Sequence, residues 1–133
     1  MKKLLFLALF LGSCASFQPI AFQNQAVLAL DRTLYADISA LVASKTDNPI
    51  LPYNPTIYGR IQADIVNCKN AYAAIPKSGL SLNQLADLAD AVSIFKMDDS
   101  LNSSPAFFQL NGPDLINIAF QLDTLEVSKI NQP

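Results

Sequence analysis

Val27 to Leu41, VLALDRTLYADISAL, decides the fold class. Val27, Leu30, Leu34, Ile38 and Leu41 recur at steps of three and four, the spacing of one helical face. A half-buried strand would alternate at every second residue instead, so the pattern predicts a helix over roughly 22–44. Asp47-Asn48-Pro49 and Pro52 break it. Asn54-Pro55 is a start signal, an N-cap followed by proline at the first helical position. The second helix then carries Ile57, Ile61, Ile65, Cys68, Tyr72 and Ile75 on one face, and Pro76 and Gly79 end it. Ser81-Leu82-Asn83-Gln84 has the form of a capping box, with serine at N-cap and glutamine three residues on. A third helix follows with Leu82, Leu85, Leu88, Val92 and Phe95 on one face. Residues 97–111 read as a polar loop holding Phe107 and Phe108. Gly112-Pro113 reads as the opening of a fourth helix that runs to about residue 130. No strand pattern of convincing length appears, and no internal repeat. Short connections favour antiparallel neighbours, so the expected fold is all-α, an up-down bundle of four helices.

The first residues have a different character. Lys2 and Lys3 are followed by an unbroken apolar run, Leu4 to Leu11, and then by small residues. That is the pattern of a secretory signal. A spanning helix needs about 20 apolar residues, and this run is far shorter. Cleavage has two readings. An ordinary signal would be cut before Ser16, behind Ser13 and Ala15. Alternatively, Leu11-Gly12-Ser13-Cys14 resembles the lipobox of bacterial lipoproteins, in which leucine, two small residues and cysteine close the apolar run. The resemblance covers the first 14 residues only. It implies that residues 1–13 are discarded, that Cys14 takes a diacylglyceryl group through its thiol, and that the new N-terminus is acylated, with palmitate as a usable label. Several acyl chains, each methylene worth about 0.8 kcal/mol, would make such an anchor essentially permanent. Ala15 follows the cysteine where aspartate would signal retention, which by the same resemblance implies the outer membrane. Residues 14–20 would then be a tether ending near Pro19, and 21–133 the bundle domain.

Discarding Lys2 and Lys3 leaves seven basic and eleven acidic residues in a chain of 120, a net charge of −4. That length suits one domain with a real core. The negative balance argues against nucleic acid or anionic headgroups as charge-driven partners. Histidine and tryptophan are absent, and Glu126 is the only glutamate. A lipidated Cys14 leaves Cys68 as the one free thiol, with no disulfide to form. Ser-His and Cys-His catalysis, His/Cys metal clusters, di-iron carboxylate motifs, axial haem ligation and glycine-rich phosphate loops therefore all lack their residues. No enzyme activity, cofactor or metal is expected. Asp98, Ser100 and Asn102 have the 1-3-5 spacing of a calcium loop. The pattern fails where glycine and glutamate are required, at Ser103 and Gln109.

Three features invite function. Asp31 falls inside the apolar face of the first helix, opposite the Cys68–Tyr72 region if the first two helices form a hairpin. A buried carboxylate must be hydrogen-bonded. Asp31 is then either a structural partner of Tyr72 or of a helix N-terminus, or else a ligand-contacting group in a cleft. The fourth helix has a second apolar stripe, Ile116, Phe120 and Val127, with Phe107 and Phe108 nearby. This set either closes the core or forms an exposed patch for a partner, with Phe107, Phe108, Ile116 and Phe120 as its contact residues. Cys68 reads as a small buried apolar residue.

These readings converge on a lipid-anchored cell-envelope protein with a non-enzymatic structural or protein-interaction role, held to the membrane by its anchor and engaging an envelope protein. The alternative is a periplasmic-side bundle that binds a small ligand or peptide near Asp31 and Tyr72. In size and anchor the chain is similar to the small helical pilotin lipoproteins that escort other envelope proteins, although no sequence motif carries that likeness.

Overall fold

The computed structural model describes residues 18–76, 78–102 and 106–130. The signal, the lipobox and Cys14 lie outside them. Four helices follow one another: α1 Gln18–Asp47, α2 Pro55–Ala73, α3 Gly79–Ser100 and α4 Ala106–Ile130. There is no strand among the described residues. Each helix packs antiparallel on the next, and α4 closes the ring against α1. Pairs from the two ends fix the directions: Asp31 with Tyr72, Ser81 with Glu126 and Arg32 with Asp123 at one end, Lys45 with Asp99 and Phe95 with Phe107 at the other.

The buried residues form a strict seam on each helix, alternating steps of three and four as in a heptad repeat. It runs Val27, Asp31, Leu34, Ile38, Leu41, Lys45 on α1, with Val42 buried beside it, and Tyr58, Ile61, Ile65, Cys68, Tyr72 on α2, continued by Ile75 just past the end of that helix. On α3 it is Ser81, Leu85, Leu88, Val92, Phe95, Asp99, and on α4 Phe108, Gly112, Leu115, Ala119, Leu122, Glu126. The middle of the bundle is entirely apolar. Polar side chains occupy the seam only towards its two ends.

Local chemistry sets the boundaries. Asn48 precedes Pro49, which disfavours further helix, and α1 stops at Asp47. The Asn54 side chain accepts from the Thr56 amide at 3.0 Å and Pro55 takes the first turn of α2, as its sequence signal requires. The Tyr72 carbonyl, near the C-terminus of α2, accepts from the Ile75 amide at 3.0 Å and from the Ser78 hydroxyl at 2.6 Å. Beyond α3, Asn102 has φ 49°, the left-handed conformation that asparagine tolerates best after glycine.

Several boundaries differ from the sequence expectation. α1 starts at Gln18, within the stretch assigned to the tether. Ser81 is not an N-cap: α3 begins at Gly79, and Ser81 is buried, its hydroxyl on Glu126. Residues 97–111 are mostly helical, because α3 runs on to Ser100 and α4 begins at Ala106. Gly112-Pro113 accordingly lies inside α4. The Phe95, Phe107 and Phe108 rings meet edge-to-face at 4.9–5.8 Å, which anchors the first turn of α4. Pro113 deprives the Gln109 carbonyl of its helical donor, and Gln109 is exposed, so water can serve instead.

Gly112 of α4 packs directly against Val42 of α1. A β-carbon built there would stand 2.5 Å from Val42 Cγ1, whereas one at Gly59 meets nothing within 4 Å. Gly112→Ala is therefore expected to destabilise the fold by about 1–3 kcal/mol through overpacking. Gly59→Ala should stabilise it by about 0.5–1 kcal/mol through helix propensity. Urea unfolding of the two variants checks both signs.

Candidate functional site

The two ends of the bundle use the same seam for different chemistry. At the end where α1 and α3 begin, each helix supplies one buried polar residue: Asp31, Tyr72, Ser81 and Glu126. The Tyr72 hydroxyl donates to Asp31, and the Ser81 hydroxyl to Glu126 at 2.5 Å. The Cys68 thiol also faces Asp31. Burial pushes the Asp31 carboxyl up to about 7; the Tyr72 hydrogen bond partly opposes this, and the Glu126 charge adds to it. Burial and the neighbouring Asp31 likewise raise the Tyr72 hydroxyl and the Cys68 thiol. A thiol held in its neutral form is a poor nucleophile.

At the opposite end Lys45 is 3% exposed. Its ammonium donates to Asp99 Oδ1 at 2.5 Å, to the Leu51 carbonyl at 2.8 Å and to the Pro52 carbonyl at 3.2 Å. An ammonium has three protons, so all are committed. The second Asp99 oxygen accepts from the Tyr58 hydroxyl at 3.1 Å. Lys45 also sits 5.8 Å from the centre of the Phe108 ring. The set is a clamp: it draws the α1–α2 link onto the end of α3.

Beside the clamp opens a cavity of about 240 Å³, walled mainly by Leu41, Leu51, Pro52, Tyr53, Ile57 and Tyr58. The Tyr53 and Tyr58 rings stack at 5.6 Å. This end also gathers exposed apolar side chains: Ile50 in the α1–α2 link, Met97 and Leu101 at the end of α3, and Leu110 in the second turn of α4. Ile50, Leu101 and Leu110 are each at least 70% exposed. Side chains so placed cost solvation free energy and bury nothing within the chain, which makes this end the candidate site.

The residues singled out from sequence separate. Asp31 and Tyr72 do meet, bonded to one another and buried. Phe108 is buried, and Phe107 and Ile116 pack against the core. Phe120 is 52% exposed, with its ring against Tyr35. These four therefore form no single exposed patch. Asp98 and Ser100 lie within α3, not in a loop. Lys45 and Asp99 were not singled out. Their signal is the register: the step that carries Val27 to Asp31 reaches Lys45 after Leu41, and the Leu88-Val92-Phe95 series reaches Asp99.

No protein family, curated protein or solved structure matches the chain.

Removing one partner of the buried pair strands the other charge. Lys45→Met or Asp99→Leu should each cost about 3–5 kcal/mol, and the double variant clearly less than their sum, as a urea double-mutant cycle will show. At the other end, the folded Asp31 carboxyl at about 7 lies above its ordinary 3.8. The folded state thus holds a proton that the unfolded state has lost. The contribution is complete below the unfolded value, falls as pH rises towards 7, and is gone above it. The stability difference between the native chain and Asp31→Asn should move against the native chain across that window, by up to about 1.4 kcal/mol per pH unit. A difference that stays flat from pH 4 to 8 contradicts the assignment.

Proposed function

We propose that the chain is a lipid-anchored cell-envelope protein that holds a protein partner and catalyses no reaction. The observation that carries this reading is that exposed Ile50, Met97, Leu101 and Leu110 fall towards the same end of the bundle as the cavity. That end is the one remote from the lipobox. Cys14 precedes Gln18 by four residues, a reach of about 14 Å. The 30 residues of α1 then rise roughly 45 Å to the clamp end. An acylated Cys14 would therefore hold one end of the bundle at the lipid surface and present the apolar end away from it. No helix among the described residues is long and apolar enough to cross a membrane; the anchor in this reading is the acyl chains alone. Ala15 after the cysteine supports an outer-membrane position facing the periplasm.

A ligand role at Asp31 and Tyr72 is the weaker reading. The two groups satisfy each other in a buried layer, and the cavity beside the Lys45 clamp opens at the other end. The absence of histidine and the full commitment of the Lys45–Asp99–Tyr58 set support a non-enzymatic role.

Two measurements test the proposal. Metabolic labelling with palmitate should mark the native chain and not Cys14→Ala. Unlabelled native protein released to the medium refutes the anchor. Crosslinking on intact membranes should capture one defined envelope protein, and Leu101→Asp with Leu110→Asp should abolish capture while leaving helicity and labelling unchanged. Capture indifferent to those substitutions refutes the site.

A further inference from the structure

We infer that the cavity beside the Lys45 clamp seats one aromatic side chain of the partner, presented by a segment with basic residues on either side. This rests on the reading that the clamp end binds a protein, and it specifies the chemistry of what is bound.

Size is the first argument. Pockets for cofactors and drug-sized ligands run from about 300 to 1,000 Å³. At about 240 Å³ this one falls below that range and suits a single large side chain. The walls are the second. Leu41, Leu51, Pro52 and Ile57 are apolar, and the stacked Tyr53–Tyr58 pair adds aromatic surface for a further ring to meet edge-on or offset. The polar groups at the base already bond one another: Lys45 to two carbonyls and Asp99, Asp99 to Tyr58. An occupant therefore gains by burying apolar area, which is how aromatic anchors dominate protein interfaces. Exposed Ile50 and Leu101 stand at the same end, where they would exclude water from the seated ring.

Charge is the third argument. Asp47 ends α1, exposed, and Asp98 lies in the last turn of α3, close enough to Tyr58 to act on its hydroxyl. No cation among the described residues pairs with either. Lys45, two residues from Asp47, is drawn inwards onto Asp99, Arg32 pairs with Asp123 and Arg60 with Asp37, and Lys96 turns to Gln62. Asp47 follows Lys45 by two residues and Asp98 precedes Asp99, and Lys45 and Asp99 both line the cavity; a segment approaching it meets this negative charge, whose complement is a lysine or arginine flanking the aromatic residue.

The test is an amide NMR titration of the full chain with three short blocked peptides: acetyl-Lys-Trp-Lys-amide, acetyl-Lys-Ala-Lys-amide and acetyl-Glu-Trp-Glu-amide. The first should bind saturably in the millimolar range and shift the amides of Leu51, Tyr53, Asn54 and Ile57. The alanine peptide should not, and the acidic one should bind about fivefold more weakly. Asp98→Lys, a charge reversal in the last turn of α3 that leaves Lys45, Asp99 and Tyr58 in place, should erase the preference for the basic peptide. Ile57→Trp, which fills the cavity from its wall, should abolish binding with helicity retained. Equal response to the tryptophan and alanine peptides, or saturable shifts centred on another face, overturns the inference. The titration needs neither anchor nor native partner. Its failure is therefore distinct from a failure of palmitate labelling or of capture on membranes.

Discussion

A charged lysine at a core position of the seam is the constraint from which the clamp end of this bundle follows. Lys45 continues the register of Leu34, Ile38 and Leu41 and cannot leave the interior without breaking it. An unpaired ammonium there would be prohibitive. Its three protons must find acceptors, and they find a carboxylate on α3 and two carbonyls of the α1–α2 link. One buried charge thus decides how far α3 extends, how the link folds back, and where Tyr58 directs its hydroxyl. The cavity lies beside this contact, walled by Leu51, Pro52 and Tyr53 of the link and by Ile57 and Tyr58 of α2.

The opposite end solves a harder version of the same problem. Asp31 is buried with hydroxyl and thiol neighbours and with a second carboxylate, Glu126, across the layer. Tyr72 donates one hydrogen bond, which favours the ionised form, but burial outweighs it and the acid is pushed up to about 7. The α2 seam places a tyrosine near each end, Tyr58 and Tyr72, and each hydroxyl meets an acid on another helix. Only at the Tyr58 end does a cation share the acid. The two ends therefore differ in how the buried acid is compensated, although their geometry is alike. Polar seam positions also restrict register, since sliding any helix by one turn would strand at least one of these groups among apolar side chains.

Much of this was legible in the sequence, and the reason is the seam itself. Apolar residues at steps of three and four located all four helices, and a helical wheel put Asp31 on the buried face with Tyr72 opposite. The same wheel continued one step further would have reached Lys45 and Asp99. A lysine and a run of Lys96-Met97-Asp98-Asp99-Ser100 look like the end of a helix when composition is weighed ahead of register. Gly112-Pro113 misled for a related reason: the pair is a helix breaker by local propensity, and here tertiary packing overrides it, because only glycine lets α4 approach Val42. The cavity had no sequence signal, since part of its wall is the α1–α2 link, where no helical register applies.

The exposed apolar groups at the clamp end are best understood against how little they contribute to folding. The seam runs unbroken between its polar ends, and Ile50, Met97, Leu101 and Leu110 all lie off it. Their exposure is therefore not the cost of closing the core, which Phe95, Phe107 and Phe108 already close. Val66, Leu80, Ile94 and Phe120 are also exposed, Leu80 at the start of α3 and the other three along the helices. Scattered apolar residues of that kind are ordinary on any surface. What distinguishes the clamp end is the conjunction of three things: a cavity beside the link, apolar residues at the ends of three different segments, and acidic residues near a lysine that has been taken into the interior. A bundle that needed only to be stable would require none of them there. Together they give that end the apolar centre and charged rim of a surface that has something to hold.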